Sequence, residues 1–201
     1  MNERQKIACI VLAAGSSVRF GGDPKQLADL HGKSLVQIAV EEADQSLADY
    51  VFLVLGKCSS EILGRLKPGR AQIIFNKDFA LGISTSIKCG IANLPNDCAG
   101  VIIMVADQPF LTHEHLNMLI GRFESSPGKI VALSSHGEPR NPVLIPFDII
   151  EDLEKLEGDE GARKLVKKNS GTVLIDVADP QVFVDVDTKD SLLEFQKSNE
   201  N

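Results

Sequence analysis

The sequence predicts a doubly wound α/β fold, a mostly parallel sheet covered on both faces by helices as a three-layer α/β/α sandwich. Three observations predict it. Short runs rich in β-branched residues alternate with segments of helical period. The runs are too continuously apolar for hairpins with one wet face. A length of 201 residues with 43% hydrophobic and 24% charged side chains suits one well-formed core rather than a modular or disordered chain.

Residues 7–13, 50–55, 71–75, 100–106 and 129–133 are the expected strands. Ser34-x-x-Gln37 reads as a capping box that opens a helix with the stripe Val36, Ala39, Val40, Ala43 and Leu47. After residues 71–75 comes a helix with Ile83, Ile87, Ile91 and Leu94 on its apolar face and Ser84 and Lys88 on another, toward solvent or ligand. Thr112 caps a helix carrying Leu116, Leu119, Ile120 and Phe123. The pattern loosens after Ser134, where Pro139, Pro142 and Pro146 break up residues 134–148 and two acidic or mixed helices follow. Strand character resumes at residues 172–175 and 182–186. Residues 1–201 therefore read as a single domain with an excursion at about 134–170.

Acidic residues outnumber basic ones 28 to 21, a net charge of −7, so no global positive field exists to hold nucleic acid or an anionic membrane. The longest apolar runs are about half of the roughly 20 residues a membrane-spanning helix needs. Arg4 and Lys6 before an apolar run imitate a secretory signal, but the run reads better as a buried first strand. Cys9, Cys58, Cys89 and Cys98 form no C-x-x-C, and no zinc-ligand spacing occurs; free thiols in a reducing cytoplasm are expected. His31, His113, His115 and His136 are solitary and read as solvated loop or helix-start residues.

The first strand runs into Ala14-Gly15-Ser16-Ser17-Val18-Arg19-Phe20-Gly21-Gly22-Asp23-Pro24-Lys25. Small side chains let backbone N–H groups approach an anion closely, and Arg19 and Lys25 add charge to the same cradle, so a polyphosphate is the natural guest. Neither the Walker spacing nor G-x-G-x-x-G is present. A second feature is the abrupt end of the apolar run 100–106 in Asp107-Gln108-Pro109. In an open parallel sheet the carboxyl ends of strands form the ligand crevice, so Asp107 should share an edge with the first loop, where it suits Mg²⁺. Farther on, strand period puts Val182, Val184 and Val186 on one face and Asp185 on the other. Asp187 or Thr188 can cap the helix beginning near Asp190, which makes Asp185 the better metal ligand and Asp187 the better cap.

The run LAAGSSVRFGGDPKQL resembles the signature of nucleotidyltransferases that activate a phosphorylated acceptor with a nucleoside triphosphate. More narrowly, LAAG, RFGG, PKQL and GISTSI resemble the molybdenum cofactor cytidylyltransferase (MocA-like) branch of the MobA-like family. The resemblance implies a Rossmann-like nucleotidyltransferase fold in which Leu12, Ala13, Ala14, Gly15 and Ser16 contact the nucleotide and Arg19 and Lys25 bind its triphosphate. Arg19, Lys25 and Asp107 are the implied catalytic residues, with Asp107 and Asp185 holding Mg²⁺. The N…G-x-S-x-S element of the family falls on Asn76, Gly82, Ser84 and Ser86, near base and ribose; taken alone, Ser84 and Ser86 read first as helix-start caps. Asn141-Pro142-Val143 and Gly158-Asp159-Glu160-Gly161-Ala162-Arg163 resemble acceptor-side elements, which makes Asn141, Pro142 and Arg163 acceptor contacts and 134–170 the acceptor pocket.

Two departures from the pattern stand out. The loop tip holds one residue more between Arg19 and Lys25 than the common form, and Arg140 stands where glycine is expected. The implied reaction is transfer of CMP from CTP to the phosphate of a molybdopterin-type cofactor, with release of pyrophosphate and a molybdenum enzyme or its chaperone as partner. Guanylyl transfer, a sugar-phosphate acceptor and a non-catalytic cofactor chaperone are the alternatives.

Overall fold

The computed structural model describes residues 4–15, 17, 20 and 24–198. Ser16, Arg19 and the loop tip at residues 21–23 lie outside the described residues. In chain order the elements are β1 (Lys6–Ala13), β2 (Asp29–Leu30), β3 (Lys33–Ser34), α1 (Leu35–Gln45), β4 (Tyr50–Leu55), α2 (Ser59–Leu63), β5 (Gln72–Phe75), α3 (Ile83–Ile91) and β6 (Cys98–Val105). There follow α4 (His113–Glu124), β7 (Val131–Ser135), β8 (Glu138–Pro146), α5 (Glu151–Glu154), α6 (Arg163–Lys168), β9 (Val173–Asp176) and α7 (Lys189–Ser198).

Among the described residues a seven-stranded sheet runs β5-β4-β1-β6-β8-β7-β9, and β2 and β3 form a small separate ribbon. β5, β4, β1 and β6 are mutually parallel, as is the pair β7 and β9; β8 alone runs against its neighbours β6 and β7. Every side chain of β1 from Ile7 onward is buried because helices cover both faces. Ile7, Cys9 and Val11 share a core with the stripes of α1 and α4, and Ala8, Ile10 and Leu12 share the other with Ile87, Ile91, Leu153 and Leu165.

Helix starts follow local chemistry, with some departures from expectation. Ser34 Oγ accepts from Gln37 N–H at 3.3 Å, as a cap should. The Gln37 side chain does not complete the box; it donates to Glu41 Oε1 and to the Lys67 carbonyl instead. Leu47, expected on the stripe of α1, lies past its end and is 52% exposed. At α4, Thr112 is the cap, and His115 Nδ1 accepts from Thr112 N–H at 3.1 Å. His113 pairs with Glu42. Both histidines are therefore structural helix-start groups.

Two expectations about the later chain are overturned. The proline-interrupted stretch 138–146 is an inner strand of the sheet, not an irregular loop. Its ladder with β6 covers only residues 143–146, so Pro139 and Pro142 lie beyond that pairing, and Pro146 is the strand's last residue. Residues 182–186 are not a strand. Pro180–Phe183 form a 3-10 turn, with Asp179 accepting from Gln181 N–H and Pro180 at its start, where no N–H is needed. Val182 and Phe183 are buried by that turn rather than by strand alternation.

Candidate active site

The carboxyl ends of β4, β1 and β6 lie at one edge. Ala13 pairs with Leu55 and Leu12 with Val105, and Ala106 N–H donates to the Leu12 carbonyl at 3.0 Å, which sets Asp107 beside the turn after β1. A cavity of about 390 Å³ opens there, lined by Leu12–Gly15 of the turn, Lys25 and Gln26, Phe79, Gly82, Ile83 and Ser86 at the start of α3, Asp107 and Asp159.

The loop after β1 is tied to its own base. Gln26 is buried; its Nε2 donates to the Gly15 carbonyl at 2.9 Å and its Oε1 accepts from Ser17 Oγ. Ser17 Oγ in turn accepts from Lys25 N–H at 2.9 Å. Phe20 is buried with Leu30, Leu35, Val186 and Leu192, which anchors the loop to the C-terminal segment. These contacts bring Lys25 to the mouth of the cavity. Its ammonium lies 2.7 Å from Asp107 Oδ2 and 2.9 Å from Asp187 Oδ1. Burial alone would lower the Lys25 pKa, but the two carboxylates overcome it and hold the pKa raised.

Asp107 Oδ1 is buried and has no hydrogen-bond partner among the described residues. Asp185 belongs to the same charge cluster. Burial of its carboxyl raises its pKa, the negative charge of Asp107 raises it further, and the hydrogen bond from Gln108 works against both. Gln108 Nε2 donates to Asp185 Oδ1 at 2.9 Å, and Val186 N–H donates to the Asp107 carbonyl at 2.9 Å, so the segment after the 3-10 turn is stitched onto the end of β6. Asp187, expected as the better helix cap, faces Lys25 instead, and the cap is Thr188, whose Oγ1 accepts from Ser191 N–H at 3.1 Å.

The other sequence-predicted residues divide into two groups. Gly82 and Ser86 line the cavity, whereas Asn76 and Ser84 sit behind it. Asn76 Nδ2 donates to Thr85 Oγ1 and Ser86 Oγ, both at 2.9 Å, latching β5 to α3. Neither Ser84 nor Ser86 caps the helix, whose first residue follows Gly82, and Ser84 is buried rather than turned to solvent. Gly82 has φ +107°, and a Cβ there would meet the Gly158 carbonyl oxygen at 2.2 Å. Ser84 N–H donates to that same oxygen at 3.1 Å, and this close approach brings Asp159 to the cavity wall. Asn141 and Pro142 precede Val143, the partner of Ile103, and so run past the end of the β6 ladder toward the edge that carries Asp107. They do not line the cavity, and Arg163 is exposed at the start of α6. Gln26, Gln108 and Asp159 were not singled out by sequence reasoning. Gln26 lies inside the PKQL run and Asp159 inside the glycine-flanked 158–161 segment, but neither position carries a local signal of its long-range contact.

Fold and site together define the class: a nucleotidyltransferase-type α/β domain with a cavity at the carboxyl edge of the sheet. Residues 9–173 match the family model described as the MobA-like NTP transferase domain, and the chain belongs to that family. It is 29% identical over 194 residues to nicotine blue oxidoreductase of Paenarthrobacter nicotinovorans, covering 91% of this chain and 93% of that one. It is likewise 29% identical over 190 residues to the purine catabolism protein PucB of Bacillus subtilis, covering 89% and 90%. Against the bifunctional protein GlmU of Mycobacterium marinum, 25% identical over 189 residues, the chain spans 38% of the relative's length. The crystal structure of Rv0371c from Mycobacterium tuberculosis H37Rv superposes with a TM-score of 0.86 at 24% identity, covering 96% of this chain and 99% of that one. A complex of Rv0371c with manganese gives 0.80 at 23%, covering 96% and 100%. These two likenesses are of fold.

Proposed function

We propose that the protein transfers a nucleoside monophosphate, CMP from CTP, to the terminal phosphate of a molybdopterin-type cofactor and releases pyrophosphate. The observation that carries this reading is the Lys25–Asp107 pair at the mouth of a cavity walled by the small-residue turn of residues 12–15. CTP and the cofactor rest on the LAAG and acceptor-side motifs.

The residues present fit a divalent cation. The Asp107 and Asp187 carboxylates flank one ammonium, the Asp185 carboxyl feels the charge of Asp107, and one oxygen of Asp107 is buried without a donor. Among the described residues no three His, Cys, Asp or Glu side chains group as a metal site. An ion here would rest on Asp107 and Asp185 and complete its shell with water and phosphate oxygens, the habit of Mg²⁺. When bound, it would neutralise charge on the nucleotide phosphates.

No protein nucleophile is required, because the acceptor phosphate is already ionised at neutral pH. An acceptor oxygen bonds to the α-phosphorus as the bond from that phosphorus to the α,β-bridging oxygen breaks, and the electron pair leaves with pyrophosphate. The protein contributes in-line positioning and counter-charge. Backbone N–H groups of the turn, with Lys25 and Arg19, offset the charge that builds on the leaving group. Asn76 and Ser84 support the cavity wall from behind, while Gly82 and Ser86 face the nucleoside. Asn141, Pro142 and Arg163 belong to the acceptor side, on the 134–170 segment. The free cysteines fit a reducing cytoplasm.

The test is incubation with CTP, GTP, UTP or ATP, Mg²⁺ and either purified molybdopterin cofactor or a sugar 1-phosphate, scored by pyrophosphate release. Release with CTP and cofactor alone is expected. Release with GTP or with the sugar phosphate would reassign the substrates. Nucleotide protection against heat with no pyrophosphate from any pairing would make the protein a binder.

A further inference from the structure

Gln108 follows Asp107 at the end of β6 and is 6% exposed. Its amide is fixed by what surrounds it. Nε2 donates to Asp185 Oδ1 at 2.9 Å and reaches the Phe183 carbonyl at 3.4 Å. A carbonyl and an ionised carboxylate only accept, so the NH₂ group must face them and Oε1 must face away. Oε1 is then buried with no donor among the described residues, the same condition as Asp107 Oδ1 on the adjacent residue. Leaving a buried acceptor unsatisfied is costly, and such atoms cluster where a ligand or ordered water completes the site.

The Gln108 contact adds a side-chain tie to the backbone bond from Val186 N–H to the Asp107 carbonyl. Asp185 lies 77 residues from Gln108, in a segment with no strand pairing to hold it. Two like charges repel one another, and the Gln108 amide, on the residue next to Asp107, donates to the Asp185 carboxylate.

We infer that Gln108 is a positioning residue that holds the Asp185 carboxylate beside Asp107 for a shared divalent cation, its free amide oxygen taking a hydrogen from a water on that ion. The inference rests on the metal reading of Asp107 and Asp185 given above. Partners that orient metal ligands in this way are typically worth about 10- to 100-fold in metal affinity.

Mn²⁺ serves as the probe, with binding measured by calorimetry on the full chain and folding checked by thermal melting. Gln108→Met, which keeps the side-chain length and removes both amide functions, should weaken Mn²⁺ binding by about tenfold or more. It should also raise the metal concentration needed for half-maximal pyrophosphate release more than it lowers the rate at saturating metal. Gln108→Asn, which keeps the amide on a shorter stem, should weaken binding as well and serves if the Met variant does not fold. In an Asp185→Asn background, Gln108→Met should have no further effect on Mn²⁺ affinity, whereas a purely structural role would leave the two losses additive. Unchanged Mn²⁺ affinity in a folded Gln108 variant, or full additivity, overturns the inference while the metal reading stands. Absence of Mn²⁺ binding by the wild-type chain, with and without CTP, overturns both.

Discussion

Lys25 Nζ lies 2.7 Å from Asp107 Oδ2 and 2.9 Å from Asp187 Oδ1, so a single ammonium joins the loop after β1 to the C-terminal segment across the end of β6. The same ammonium competes with any cation for the Asp107 carboxylate. Lys25→Met keeps the stem and removes the charge. Pyrophosphate release should fall about 100-fold or more, the usual loss for a group that stabilises developing charge. Mn²⁺ binding without nucleotide should tighten. Calorimetry reads the second effect, and a weaker rather than tighter Mn²⁺ complex would show that Lys25 mainly holds the carboxylates in place.

Asp107→Asn keeps the shape of the side chain and removes the charge that both Lys25 and a cation use. Turnover should drop by about 100-fold or more. The fold should persist, because the lost pairing to Lys25 is offset by relief of repulsion with Asp185. A melting shift below about 4 °C, equivalent to about 1 kcal/mol for a chain of this size, is expected. Near-full activity in this variant would remove Asp107 from the site.

Burial holds the pKa of His115 below its ordinary value of 6.5, and the neutral ring accepts the Thr112 N–H through Nδ1. The unfolded chain binds this proton more readily than the native one. The contribution of His115 to stability is therefore full above about pH 6.5 and declines as pH falls below it. Glutamine is a favoured residue at this capping position and does not titrate. His115→Gln should flatten the acid limb of stability between about pH 6.5 and 5, measured by urea denaturation at a series of pH values. An acid limb as steep as that of the wild type would place the responsible proton elsewhere.

The parts legible in sequence are those set by continuous local pattern. β1, β4 and β6 are apolar on both faces and cannot be mistaken for exposed hairpins, and Asp107 is visible because the apolar run of β6 stops at it. β8 was hidden by its prolines, whose tolerance depends on where the ladder to β6 begins, a tertiary fact. Val182, Val184 and Val186 carry a strand period, yet Asp179 and Pro180 start a 3-10 turn there, so the pattern that set Asp185 apart from its neighbours was not the one that acts. Gln26 and Gln108 were invisible for a simpler reason. A glutamine has no local signature, and their partners at Gly15 and Asp185 are 11 and 77 residues away.

The approach of Gly82 to Gly158 offers a test of how the cavity wall is built. Gly82 has φ +107° and an added Cβ would sit 2.2 Å from the Gly158 carbonyl oxygen, with backbone rather than a flexible side chain in the way. Gly158 has φ +52°, but nothing lies within 4 Å of its would-be Cβ. Gly158→Ala therefore carries only the cost of a left-handed conformation, about 1 kcal/mol. Gly82→Ala carries that kind of strain plus a backbone displacement, and should cost about 2–3 kcal/mol in urea denaturation. It should also raise the nucleotide KM, because the displacement separates Ile83 and Ser86 from Asp159 across the cavity. Equal losses in the two variants would mean that the 158–161 loop yields freely, and that Asp159 is not held against the cavity by Gly82.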